Sequence, residues 1–164
     1  MSGGGMFRPG MRAYGVPLVA GLVLAVSAFL PWVRVGDVAL AGVPHVVGLW
    51  VVGLGLIAAL LALLSLMTRR NSRHPLLLVG LVALGLMFLS WKLMPAEVAD
   101  RALTRSQAVA IVEHTPPGAP PPVVIGAGIY LGLAAACAIV GFGLTIVVKR
   151  ASKTYAVTSP DDDV

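Results

Sequence analysis

Four apolar stretches, residues 14–33, 46–67, 75–91 and 123–148, contain no charged side chain, and more polar segments separate them. A hydrocarbon core of about 30 Å takes roughly 20 helical residues to cross, so each stretch has the length of a membrane span. A helix satisfies its own backbone hydrogen bonds, which lipid cannot do for it. The pattern therefore predicts an all-α membrane protein: a four-transmembrane-helix antiparallel bundle over residues 14–148. The glycine-rich residues 1–13 and the polar residues 149–164 are expected to be a flexible leader and a flexible tail.

The connections differ in kind. Residues 68–74 form an inner loop so short that spans two and three must be antiparallel neighbours. The outer loop 34–45 continues an alternation of Val33, Arg34 and Val35, turns at Gly36-Asp37 and returns through Val38, Ala39 and Leu40, which reads as a short β-hairpin. In the second outer loop, 92–122, Pro95 and Glu97 mark a helix start, while Val98, Ala102, Val109 and Val112 recur near helical period. This predicts a separate outer amphipathic helix over 95–112, resting on lipid or protein, with Glu97 and Arg101 paired one turn apart and His114 as its stop. Pro116, Pro117, Pro120, Pro121 and Pro122 then make a stiff, extended spacer into the fourth span.

Composition agrees with lipid as the solvent. The chain is 58% hydrophobic and only 12% charged, about half the charge of an ordinary soluble domain. Its net charge of +5 does not point to nucleic acid, because the basic residues gather at the ends of spans instead of in one solvated patch. Arg8, Arg12, Arg69, Arg70, Arg73, Lys149, Arg150 and Lys153 fall on one side, against Arg34, Lys92, Arg101 and Arg105 on the other. That imbalance predicts a multi-pass cytoplasmic-membrane protein with both termini in the cytoplasm. Trp32, Trp91, Lys92, Arg69, Arg70 and Arg73 are the expected membrane-interface anchors. The first span, with Arg8 and Arg12 before it and small residues up to Ala28, also has the outline of a secretory signal; its long apolar run and the following Pro31-Trp32 favour retention.

Chemistry has little to work with. No span carries Asp, Glu, Lys, Arg or His, so the buried charge that a proton-coupled exporter uses is missing. His45, His74 and His114 lie at span edges on different sides, which disfavours a shared metal or a bis-histidine haem. The single cysteine, Cys137, can make no intrachain disulfide and is expected to pack as a small residue. Ser27 and Ser65 are expected to bond back to their own helix or a neighbour. No catalytic residue, cofactor or metal is expected. The spans do specify close approach of helices: Gly21, Ala25 and Ala28 share a face of the first, Gly55, Ala59 and Ala62 one of the second, and Gly128, Gly132 and Ala136 one of the fourth. Such faces pack within the bundle or against another subunit.

A first span closing in Leu30-Pro31-Trp32, an outer hairpin and a second span with spaced glycines together resemble small four-helix membrane proteins of bacteria, especially actinobacteria. The resemblance implies topology and no active site; the abundance of Ala, Gly, Val and Pro also fits a high-GC bacterial source. Surfaces without a reaction suggest a non-enzymatic accessory or assembly subunit of a larger membrane complex, with the bilayer and other integral membrane subunits as partners. The alternative is a small oligomeric transporter or channel component. A lipid-handling role would require Arg34, Asp37, His45, Lys92 and His114 to converge on one pocket.

Overall fold

The computed structural model describes residues 14–68, 73–116, 118–119 and 121–154. The expected leader, the end of the tail, Arg69 and Arg70 lie outside the described residues. Four helices and three strands follow in order: α1 Gly15–Ser27, β1 Pro31–Val35, β2 Val38–Ala41, α2 Val46–Thr68, α3 Arg73–Glu113, β3 Val123–Ile125 and α4 Ala127–Thr154. The helices form a ring in which α1 packs on α2 and α4, and α3 on α2 and α4. Three of them, over Val46–Thr68, His74–Glu113 and Ala127–Thr145, are long and apolar enough to cross a membrane. This is a mostly helical, multi-pass membrane protein by length and hydropathy. α1, at 13 residues, is only about 20 Å long.

The first apolar stretch is therefore not one helix to residue 33, and Pro31 is the reason. In a continuing helix residue 31 would donate its N–H to the Ser27 carbonyl; proline has none, and it pushes Leu30 away from helical torsions. The last three carbonyls of α1 and that of its C-cap residue Ala28 are all satisfied. Ala28 N donates to Ala25 O (3.4 Å), Phe29 N to Val26 O (3.0 Å), Leu30 N to Ser27 O (3.3 Å), and Val43 N to Ala28 O (2.9 Å). In a low-dielectric surrounding, each carbonyl left alone would cost several kcal/mol (~).

The hairpin forms where the alternation predicts it. β1 and β2 pair antiparallel, Val35 opposite Val38, and Gly36 makes the turn at φ 56°, where a side chain is disfavoured. The third strand was not expected. Val123–Ile125 reads as the start of the fourth span, yet it pairs antiparallel with β1, Val33 opposite Ile125 and Val35 opposite Val123. A three-residue apolar run is ambiguous between helix and strand, and the stiff prolines upstream deliver it extended. Gly126 N then closes onto Trp32 O at 2.7 Å, and α4 starts at Ala127. The sheet order is β2-β1-β3.

The separate amphipathic helix is also corrected. Residues 95–112 continue α3 without a break, giving one helix of 41 residues with Pro95 inside it. Proline in a helix interior forfeits one hydrogen bond, here to the Trp91 carbonyl, at about 3 kcal/mol. Met94 and Val98, on either side, pack against the core and offset that loss. The helix ends as the sequence predicts: His114 takes φ 53°, and Thr115 N reaches back to Ala110 O at 3.1 Å, closing the last turn.

Small residues set the helix spacing. A Cβ on Gly21 would lie 2.7 Å from both Ala59 N and Gly55 O, and one on Gly55 would lie 2.7 Å from Ala25 N, so α1 and α2 touch backbone to backbone. α3 and α4 meet at Gly80, against Ile139 and Val140, and at Gly143, against Leu77. Gly53, by contrast, has open space around it. Replacing Gly55 by Val is expected to lower stability by about 2 kcal/mol or more through forced separation. Gly53→Ala should raise it by up to about 1 kcal/mol through helix propensity; melting temperatures in detergent distinguish the two.

Candidate functional site

At the sheet end of the bundle the elements meet on one side chain. Trp32 leaves β1 inward, is only 1% exposed, and donates its indole N–H to Ser27 O at 2.9 Å. Its ring lies flat against Gly42 on one side, while a Cβ on Gly128 would be 2.7 Å from its Cδ1. Ser27, itself fully buried, donates to Leu24 O at 2.6 Å and sits over Gly132. Trp32 is thus a core residue and not the expected lipid-interface anchor. The register of β1 against β2 is irregular between Pro31 and Val33, so that both Trp32 and Val33 are buried, and the bond to Ser27 O holds the ring inside.

Beside this junction lies a cleft of about 1010 Å³. One wall is α3 from Leu86 to Glu113; the cleft is also lined by Trp32, Val35 and Leu40 of the sheet, by His45 and Val47 before and within α2, and by Pro116, Gly118, Ala119 and Pro121. Its length along α3, 28 residues, is about 40 Å. The walls are mainly apolar. Its ionisable side chains are His45, Glu97, Arg101, Arg105 and Glu113. Arg101 is bonded to Glu97, as their spacing predicts, on an exposed helix face where such a pair contributes little stability.

Of the five residues whose convergence a lipid-handling pocket would need, only His45 lines the cleft; Arg34, Asp37, Lys92 and His114 do not. His114 Nδ1 lies 3.0 Å from Ile111 O instead, at the end of its own helix. Sequence reasoning missed Arg105 and Glu113, because the cleft exists only once α3 runs through Pro95 and passes in front of the sheet.

The remaining singled-out residues are placed as follows. Ala28, Ala62 and Ala136 are buried, Ala25 nearly so, and Ala59 half-buried against Gly21. Gly128 and Gly132 face Trp32, Ser27 and Met87, so this face is occupied within the chain. Trp91 is half-buried with its ring 5.7 Å from Phe88, and Lys92 Nζ lies 4.7 Å over it. Cys137 is exposed on the outside of α4 and does not pack between helices. Ser90, like Ser27, bonds back into its helix, to Leu86 O at 2.8 Å.

No protein-family model, curated protein or solved structure matches the chain. What the structure shows of the expected likeness is a helical protein with three long apolar helices.

Trp32→Phe is expected to keep the fold but destabilise it by about 1–3 kcal/mol, because Ser27 O loses a buried donor. Arg34→Ala, on an exposed position of β1, should change the melting temperature hardly at all. Equal effects of the two in a thermal melt would contradict the role given to the indole.

Proposed function

We propose that this chain crosses the bacterial cytoplasmic membrane four times, termini inside, and serves as a non-enzymatic accessory or assembly subunit of a larger membrane complex. In this reading α1 completes its crossing with Tyr14 before it and the turn at 28–30 after it, and the three-stranded sheet caps the bundle on the outer side. Three arginines and one lysine on that side are offset by Asp37, Glu97, Asp100 and Glu113, whereas the opposite ends of the spans carry the larger share of Arg and Lys.

The observation that carries the reading is the outer half of α3. A span uses roughly 20 residues, and α3 has 41, so about half of it stands beyond the hydrocarbon region. On that half Ile111 is 74% and Val112 80% exposed, and Leu103 and Val109 are also uncovered. Apolar side chains on a lipid-facing surface need no explanation, but on a water-facing helix they favour a protein contact. Lipid-facing leucines on α2, such as Leu56 and Leu60, supply a second surface within the bilayer.

Natively expressed protein, extracted gently, is expected to co-purify with defined larger membrane proteins. Ile111→Glu together with Val112→Glu should abolish that association without lowering the melting temperature. A monodisperse monomer with no associated protein would overturn the reading. Topology is separable: in a Cys137→Ala background, cysteines at Asp37 and Gly118 should react with an impermeant reagent from outside and one at Thr154 should not.

A further inference from the structure

The cleft changes character along α3. Leu86 and Leu89, which line one end of the cleft, come from the charge-free stretch 75–91, and Leu93 follows just beyond Lys92, so this end opens at the outer edge of the span. Val98 and Ala102 carry the apolar wall beyond the span. Glu97 and Arg101 lie within this stretch, and the other ionisable residues of α3 in the cleft lie beyond it. Glu97 and Arg101 are bonded to each other, Arg105 comes next, and Glu113 lies furthest out. Arg105 and Glu113 have no ion-pair partner among the described residues.

A glycerophospholipid with an amine head group presents the matching order: acyl chain, then phosphate, then ammonium. Arg105 and Glu113 are eight residues apart, about 12 Å along the axis, which accommodates a phosphate and its ammonium with a charge-assisted contact of about 3 Å at each end. The volume of about 1010 Å³ lies at the upper end of small-molecule pockets and suits a long chain better than a compact solute. A peptide laid along Leu86, Leu89 and Leu93 would leave its backbone donors and acceptors facing hydrocarbon.

We propose that the cleft binds one aminophospholipid taken sideways from the bilayer, its acyl chain along Leu89 to Ala102, its phosphate at Arg105 and its ammonium toward Glu113. His45 stands on the opposite wall as a further donor to the phosphate. The site requires that α3 crosses the membrane, and it is independent of whether the chain belongs to a larger complex.

The test uses the full chain in phosphatidylcholine nanodiscs carrying a small fraction of phosphatidylethanolamine or phosphatidylglycerol with a photoreactive group on the acyl chain. Cross-links mapped by mass spectrometry are expected within residues 94–102, beyond the span, as well as on the lipid-facing side of α2, and several-fold more of the former with phosphatidylethanolamine. Arg105→Gln should reduce cleft labelling by both lipids at least fivefold, and Glu113→Gln should remove the preference for the amine head group; both positions are exposed, so melting temperatures should hold. Labelling confined to Leu56, Leu60 and the other lipid-facing positions would overturn the proposal, as would equal cleft labelling by the two lipids in the unaltered chain.

Discussion

The structure depends on how the chain leaves α1. Pro31 cannot donate to the Ser27 carbonyl, and the Trp32 indole supplies the donor instead, 2.9 Å away. That single bond does more than cap a helix. It turns the largest side chain of the strand inward, and the ring then fixes the spacing of everything near it: Gly42 before α2 and Gly128 on α4 are glycines where any Cβ would strike the indole. β1, held in place by this side chain, becomes the middle strand on which β2 and β3 assemble. An exposed tryptophan would have anchored the chain to lipid; a buried one anchors the sheet to the bundle.

From that junction the rest follows by packing. β3 pairs with β1 and so sets where α4 begins, and α4 lies against α1 and α3. Lipid gives helices no hydrophobic reason to associate, so contact area and backbone approach must do it. The buried positions of α2, Gly48, Val51, Gly55, Ala58, Ala62 and Ser65, repeat every three or four residues and are nearly all small. On α2 the large side chains point outward, whereas Leu24, Leu76, Met87, Ile129 and Ile139 of the other helices fill the core. The outer half of α3, beyond the length of one span, keeps Leu103, Val109, Ile111 and Val112 exposed, and the cleft between it and the sheet is lined by both apolar and charged side chains.

Much of this was legible in the sequence, and its failures are local. The hairpin at Gly36-Asp37, the stop at His114 and the Glu97 to Arg101 pair each rest on short-range rules, and these hold; of the four apolar stretches, three lie on helices long and apolar enough to cross a membrane. Glycine and alanine at four-residue spacing marked Gly21, Gly55, Gly128 and Gly132 as close-approach positions, although not which helix each would meet. What failed needed tertiary information. Pro95 is as good a helix start as a helix interior until Met94 and Val98 are seen packing on the core. Val123 to Ile125 is strand only because β1 is there to receive it. Trp32 is buried next to an equally buried Val33, at an irregularity in the β1–β2 register that no alternation foresees. The cleft, built from residues some 80 positions apart, from Trp32 to Glu113, has no signature along the chain at all.

The central claim is that α3 is one continuous helix that carries the membrane span outward past Pro95 in front of the sheet. Spin labels at Leu78 and Gln107, in a Cys137→Ala background and in nanodiscs, test it directly by pulsed dipolar spectroscopy. Twenty-nine helical residues separate the two positions, and the account predicts one narrow distance distribution centred near 44 Å (~), slightly less with a bend at Pro95. A broad distribution, or one centred near 30 Å (~) because the outer half folds back on the membrane as a separate helix, would contradict it.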